Sequence, residues 1–147
     1  MQKIHQKIET EIFNYLTPLK DQYAEQQFDF DIDVSMRDND ILVEVWGFYK
    51  NESAPNGKTE FILLRLYVRH QCTQIHITNI FLPDFMRYKC IGKHLINKIF
   101  LISEEVHYEL FIVDMVPSFY QKMINKGALP CIGQDDVVKI VKGTELF

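Results

Sequence analysis

Over the first twenty positions apolar residues recur every three or four: Ile4, Ile8, Ile12, Tyr15, Leu16 and Leu19. This spacing lines up one stripe of a helix, which Thr17-Pro18 is expected to stop, since proline has no N–H for the helical ladder. From Phe28 the period drops to two. Phe28, Phe30, Ile32, Val34 and Met36 alternate with Asp29, Asp31, Asp33 and Ser35, the pattern of a strand with one buried and one wet face. "ILVEVWGFY" (41–49) and "TEFILLRLYV" (59–68) read as antiparallel strands of a long hairpin, because the intervening "KNESAPNGK" carries the proline and Asn-Gly of a turn. A further strand is predicted over 74–82.

Beyond it, Ile91, Leu95, Ile99 and Ile102 form the apolar stripe of a helix over 91–105. "YELFIVD" (108–114) is nearly continuous in apolar residues, as a strand covered on both faces would be. Pro117 suits the first position of a helix that ends at Gly127, and "DVVKIV" (136–141) closes the chain as a strand. The order is helix, a run of strands, then helix, strand, helix, strand. It predicts an α+β domain around a mostly antiparallel central sheet, with one strand–helix–strand crossover at 74–114.

Composition narrows the class. The 147 residues are 47% hydrophobic and 24% charged, with six glycines and five prolines, a balance suited to one globular domain over 1–147. A net charge of −4 offers no basic face for a phosphate backbone, so nucleic acid is not an expected partner. Cys72, Cys90 and Cys131 are odd in number, far apart and in no paired motif, which reads as free thiols in a reducing compartment. The amphipathic N-terminal segment does not read as a signal peptide, since it lacks a continuous apolar core. The most apolar run, "FILLRLYV", holds Arg65 and falls far short of the ~20 residues of a membrane span. A cytoplasmic protein with no membrane partner is expected.

The stretch richest in chemistry is "IFLPDFMRYKCIGKHLINKIF" (80–100). A strand that runs through a short loop into a helix leaves backbone N–H groups unpaired, and the helix dipole makes their neighbourhood favourable to an anion such as a pyrophosphate. Arg87, Lys89 and Lys93 add full charges, and Gly92 removes a side chain from the approach. On these residues alone, a plain βα turn with solvated basic side chains is an equal alternative.

Arg87-Tyr88-Lys89-Cys90-Ile91-Gly92 resembles the Arg/Gln-x-x-Gly-x-Gly/Ala pyrophosphate loop of the GCN5-related N-acetyltransferases, which transfer an acyl group from acyl-coenzyme A to an amine. "IHITNIFLP" before the loop, "IGKHLINKIF" after it, "YELFIVD" and "PSFYQKMINKGA" are similar in turn to the family's fourth strand, its following helix, its fifth strand and its Phe-Tyr helix. The likeness covers 59–141 and is only topological before that. Cys90 stands where the loop's first glycine is usual. The interval from Tyr120 to Gly127 is three residues longer than the commonest form, and an asparagine often found before the Phe-Tyr helix is replaced by nearby Asp114 and Ser118.

The resemblance implies acetyl-coenzyme A as co-substrate, with its pyrophosphate on Arg87, Tyr88, Lys89, Cys90, Ile91, Gly92 and Lys93, its pantetheine arm along the backbone of Ile80 to Leu82, and Ser118 close by. It implies that Tyr120 protonates the departing thiolate and that His76 stands where some members hold a basic glutamate, many others using only water. The acceptor would be an amine on a small molecule or peptide. Each residue also has a plainer reading: Ile80, Leu82 and Tyr120 as core, His76 as an exposed strand histidine, and the row Asp29, Asp31, Asp33, Asp38, Asp40 as a wet strand face. His70, Cys72 and His76 would share a face on a continuous strand, but a turn at Thr73-Gln74 and the lack of a fourth ligand argue against a metal site. A non-catalytic coenzyme A-binding or regulatory domain is the alternative, and a homodimer is left open.

Overall fold

Pro18 does not end the first helix. In the computed structural model, which describes residues 2–146, α1 runs Ile4–Gln22 with Pro18 inside it. An interior proline costs roughly 3 kcal/mol. Leu19 and Tyr23 lie beyond it and are both buried, and burying two such side chains, at about 1.5–3 kcal/mol each, offsets that cost.

After α1 the chain forms β1 (Asp29–Arg37), β2 (Asp40–Lys50), β3 (Lys58–Arg69) and β4 (Gln74–Ile80). Then α2 (Ile91–Glu105) crosses to β5 (Glu109–Ile112), and α3 (Pro117–Asn125) leads to β6 (Leu129–Cys131) and β7 (Gln134–Ile140). The sheet order is β1-β2-β3-β4-β5-β7-β6, and every pairing but β4–β5 is antiparallel. The α+β class, the mostly antiparallel sheet and the crossover at 74–114 are those read from the sequence. β6 was not read, because three residues with Pro130 in the middle carry no period. Among the described residues no helix is long and apolar enough to cross a membrane.

Cross-strand register sorts the side chains. Leu66, Ile77 and Ile112 stand in one row and Val68, Ile75 and Leu110 in the next. With Val138 and Ile140 of β7 they join the apolar sides of α1, α2 and α3 in one buried cluster. Tyr67, His76, Phe111 and Lys139 form the intervening row and project from the opposite face.

The site depends on where β4 leaves β5. Ile77 pairs with Leu66 and Asn79 with Arg65, so Thr78 has no counterpart in β3. A bulge of this kind bends and twists its strand. The Val113 N–H still bonds the Ile77 carbonyl (2.9 Å), but two residues on, the Met115 N–H bonds Asp136 of the β7 strand (2.9 Å). β4 stays with β3, β5 stays with β7, and the two parallel strands part.

The segment after β4 is pinned rather than loose. Phe81 N–H bonds the Leu63 carbonyl (3.0 Å) and Met86 is fully buried. Phe85 meets Tyr23 after α1 and Tyr49 of β2 edge-on, at 5.4 and 5.3 Å between ring centres. At the far side, α3 closes on Gly127 at φ +96°, where a Cβ would stand 2.9 Å from the Gly143 carbonyl oxygen. Gly127→Ala should therefore destabilise the protein by about 1–3 kcal/mol, whereas Gly143→Ala, with open space around it, should change stability by less than about 0.5 kcal/mol. Urea unfolding measures both, and equal midpoints would refute the constraint at Gly127.

Candidate functional site

The parting of β4 and β5 opens a cleft of about 590 Å3, lined by the end of β4, the loop after it, the first turns of α2 and one side of α3. Ile80, Leu82, Arg87, Tyr88, Cys90, Ile91, Gly92 and Lys93 all line it. Lys89 and Ser118 are exposed and do not. Ile96 of α2 and Val116, Phe119, Lys122 and Met123 of the α3 segment complete the wall. These last were missed in the sequence, although Phe119 and Met123, and likewise Lys122 and Lys126, stand four apart and so on common sides of α3.

The loop offers donors. Tyr88 and Cys90 both take left-handed backbone, each at φ +62°, on either side of Lys89. Backbone that alternates in this way turns successive N–H groups toward one concavity, which suits an anion. Cys90 is the N-cap of α2 and places no side chain on the helix end, and the first helical bond runs from His94 N–H to the Cys90 carbonyl (2.9 Å). The N–H groups of Ile91, Gly92 and Lys93 therefore have no backbone acceptor among the described residues, nor does that of Leu82. The conformation of Cys90 is the one glycine adopts without strain, so the cysteine keeps the shape of the loop at a cost of roughly 1–2 kcal/mol. A Cβ on Gly92 would lie 3.5 Å from Ile80 Cγ2 and 4.0 Å from Leu82 Cδ1. A methyl fits there and a longer side chain would enter the cleft.

Arg87 has a different part from its lysine neighbours. Its Nε donates to the Leu82 carbonyl (3.0 Å), its Nη1 pairs with Asp84 (3.1 Å), and its guanidinium lies 5.6 Å over the Phe81 ring. It straps the loop, and its charge is already matched.

The two proposed catalytic side chains are not brought into this cleft. His76 projects from the opposite sheet face into a second cavity of about 400 Å3, shared with Gln74, Phe111, Asp114 and Asp136. Its Nε2 is 2.8 Å from Gln74 Oε1 and its ring stands edge-on to Phe111 at 5.5 Å. Burial, seconded by Arg69 and opposed by Asp40, holds its pKa below the ordinary 6.5. Tyr120 is half-buried against the core and does not line the cleft, although Phe119 beside it does. His70, Cys72 and His76 do not share a strand. β3 ends at Arg69, Thr73 turns at φ +52°, and His70 Nδ1 is 2.6 Å from the Tyr108 hydroxyl. Of the aspartate row, Asp29 pairs with Lys20 (3.0 Å) and Asp40 with Arg69 (3.4 Å).

No protein-family model and no curated protein matches the chain. Among solved structures it is similar to a crystal structure of a presumed acetyltransferase from Agrobacterium tumefaciens, at 14% identity over 89% of this chain and 88% of that one, with a TM-score of 0.35. A likeness this loose leaves the site to be read from the chain's own residues.

The depressed pKa of His76 has a consequence for stability. The unfolded chain takes up this proton before the folded one, so the contribution is whole above about 6.5 and is lost as pH falls through the lower folded value. His76→Gln should flatten the acid side of the stability curve, read as urea midpoints at about pH 7.5 and 5.5. Parallel losses in variant and wild type would show that this imidazole is not held neutral by burial.

Proposed function

We propose that the chain is an acyl-coenzyme A-dependent N-acyltransferase of the GCN5-related kind, taking acetyl-coenzyme A as donor and a primary amine as acceptor. The observation that carries this reading is the parting of β4 from β5 directly beside a loop and helix start whose N–H groups lack acceptors. A diphosphate is the anion that such a loop suits, and the gap between the strands gives an extended, thiol-tipped arm a course toward the second cavity.

The chemistry would run as a direct transfer. The N–H of Leu82 polarises the thioester carbonyl. An amine in the cavity on the opposite face attacks the carbonyl carbon, a C–N bond forms and the C–S bond breaks. Asp114 and Asp136 there favour a cationic amine. The nitrogen's proton leaves to water or to His76, which its burial keeps neutral and able to accept. The thiolate takes a proton from Tyr120, whose ring must turn toward the gap to deliver it.

That requirement favours a second reading, a coenzyme A-binding module that transfers nothing. With the family's commoner spacing counted back from Gly127, the tyrosine position falls on Met123, which lines the cleft and has no proton to give. Among the described residues the only hydroxyl that lines the cleft is that of fully exposed Tyr88.

Coenzyme A and acetyl-coenzyme A should raise the melting temperature, because a ligand bound only by the folded state adds its binding energy to stability. Gly92→Glu should abolish the shift by filling and charging the anion site, while Gly92→Ala should preserve it. Unchanged binding by a folded Gly92→Glu protein would rule out this placement. Tyr120→Phe separates the two readings. With acetyl-coenzyme A and a panel of polyamines, amino acids and peptides, thiol release should drop by ~10²-fold while coenzyme A affinity holds. An active wild type with a fully active variant would end the role given to Tyr120.

A further inference from the structure

The cleft carries more positive charge than its loop alone requires. Lys93 lies in the first turn of α2, and Lys122 and Lys126 stand one turn apart at the C-terminal end of α3. Lys93 and Lys122 line the cleft, and Lys126 lies one turn beyond Lys122, where the charge of Lys93, ahead of burial and of Lys122, pushes its pKa down. Among the described residues none of the three is in an ion pair, whereas Arg87 is matched by Asp84 and Lys98, further along α2, by Glu11. No carboxylate lines the cleft.

Three like charges from two helices gather beside one cleft. The backbone that carries two of them is fixed at the end of α3: the Ala128 N–H bonds the Met123 carbonyl (3.0 Å) and the Glu145 N–H bonds the Lys126 carbonyl (2.6 Å). A compact dianion between the helices would turn this repulsion into attraction. The diphosphate is already served by the loop N–H groups, so this anion is a separate one on the same ligand. Coenzyme A carries one such group, the phosphate monoester on its ribose.

We propose that Lys122 and Lys126, with Lys93, form a second anion subsite that reads the 3′-phosphate of coenzyme A and so distinguishes it from ligands that share only the diphosphate and pantetheine. This deepens the coenzyme A reading above and rests on it.

The test measures Kd by calorimetry for coenzyme A and for 3′-dephospho-coenzyme A at one fixed salt concentration. Wild type should prefer coenzyme A by ~10-fold or more, about 1.4 kcal/mol. The double variant Lys122→Gln/Lys126→Gln should bring the two ligands to within roughly twofold, with 3′-dephospho-coenzyme A bound as in wild type, which also shows that the variant is folded. Lys98→Gln should keep the full preference. Should the double variant not fold, Lys122→Gln and Lys126→Gln singly carry the test, each losing part of the preference. Equal affinity of wild type for the two ligands overturns the subsite. So does an equal loss for both ligands in the variants, which would make these lysines part of the diphosphate site. If wild type binds neither ligand, the coenzyme A reading itself fails and this inference with it.

Discussion

Thr78 has no register counterpart in β3, and its insertion bends β4 away from β5 one residue after the bond that joins Val113 to Ile77. In a regular sheet those two parallel strands would continue side by side and bury their edges in each other. Here both edges are released, with β4 held by β3 and β5 by β7, and the sheet opens without any end left flexible. The cleft and the unpaired N–H of Leu82 both follow from that one irregularity. A bulge costs a sheet little when it lies at the end of a strand pair, and such bulges are frequent beside functional sites.

A gap of this kind would collapse if its walls could move, and the aromatic contacts prevent it. Phe85 is clamped between Tyr23 and Tyr49, Phe61 joins Tyr49 to Phe81, and Arg87 lies over Phe81 while bonding the Leu82 carbonyl. This chain of contacts runs from the end of α1 through β2 and β3 to the loop. It explains why a helix that contributes nothing to the cleft still matters to its shape. The same rigidity permits a feature that would otherwise relax, namely the left-handed backbone of Cys90. Local choices that disagree with the rest of a fold tend to mark functional sites.

Much of the fold was legible in the sequence because helix and strand are properties of near neighbours. The stripe from Ile4 to Leu19, the alternation from Phe28, and the bounds of α2 at 91 and 105 can be read by spacing alone. The errors have local causes as well. Pro18 is a strong stop signal that two buried side chains beyond it outweigh, and β6 is too short to show a period. Of the candidate site, the loop from Arg87 to Lys93 was legible because its N–H groups, charges and glycine are contiguous in the chain.

The rest of the site lies beyond the reach of spacing. Whether Thr78 bulges depends on the register with β3, a pairing that no single strand encodes. Which side of the sheet His76 occupies, and that Tyr120 turns to the core while Phe119 faces the cleft, depends on the angle at which α3 lies on β7. The meeting of Lys93 with Lys126 joins residues 33 positions apart in the sequence. The sequence by itself determined all the elements but β6 and the end of α1, together with the fold class and a loop of contiguous N–H groups, charges and glycine, since these come from short-range sterics and burial. Tertiary structure alone decided the gap between β4 and β5, the separation of His76 from the cleft and the clustering of its lysines, since these arise from register and helix packing, which are properties of the whole sheet.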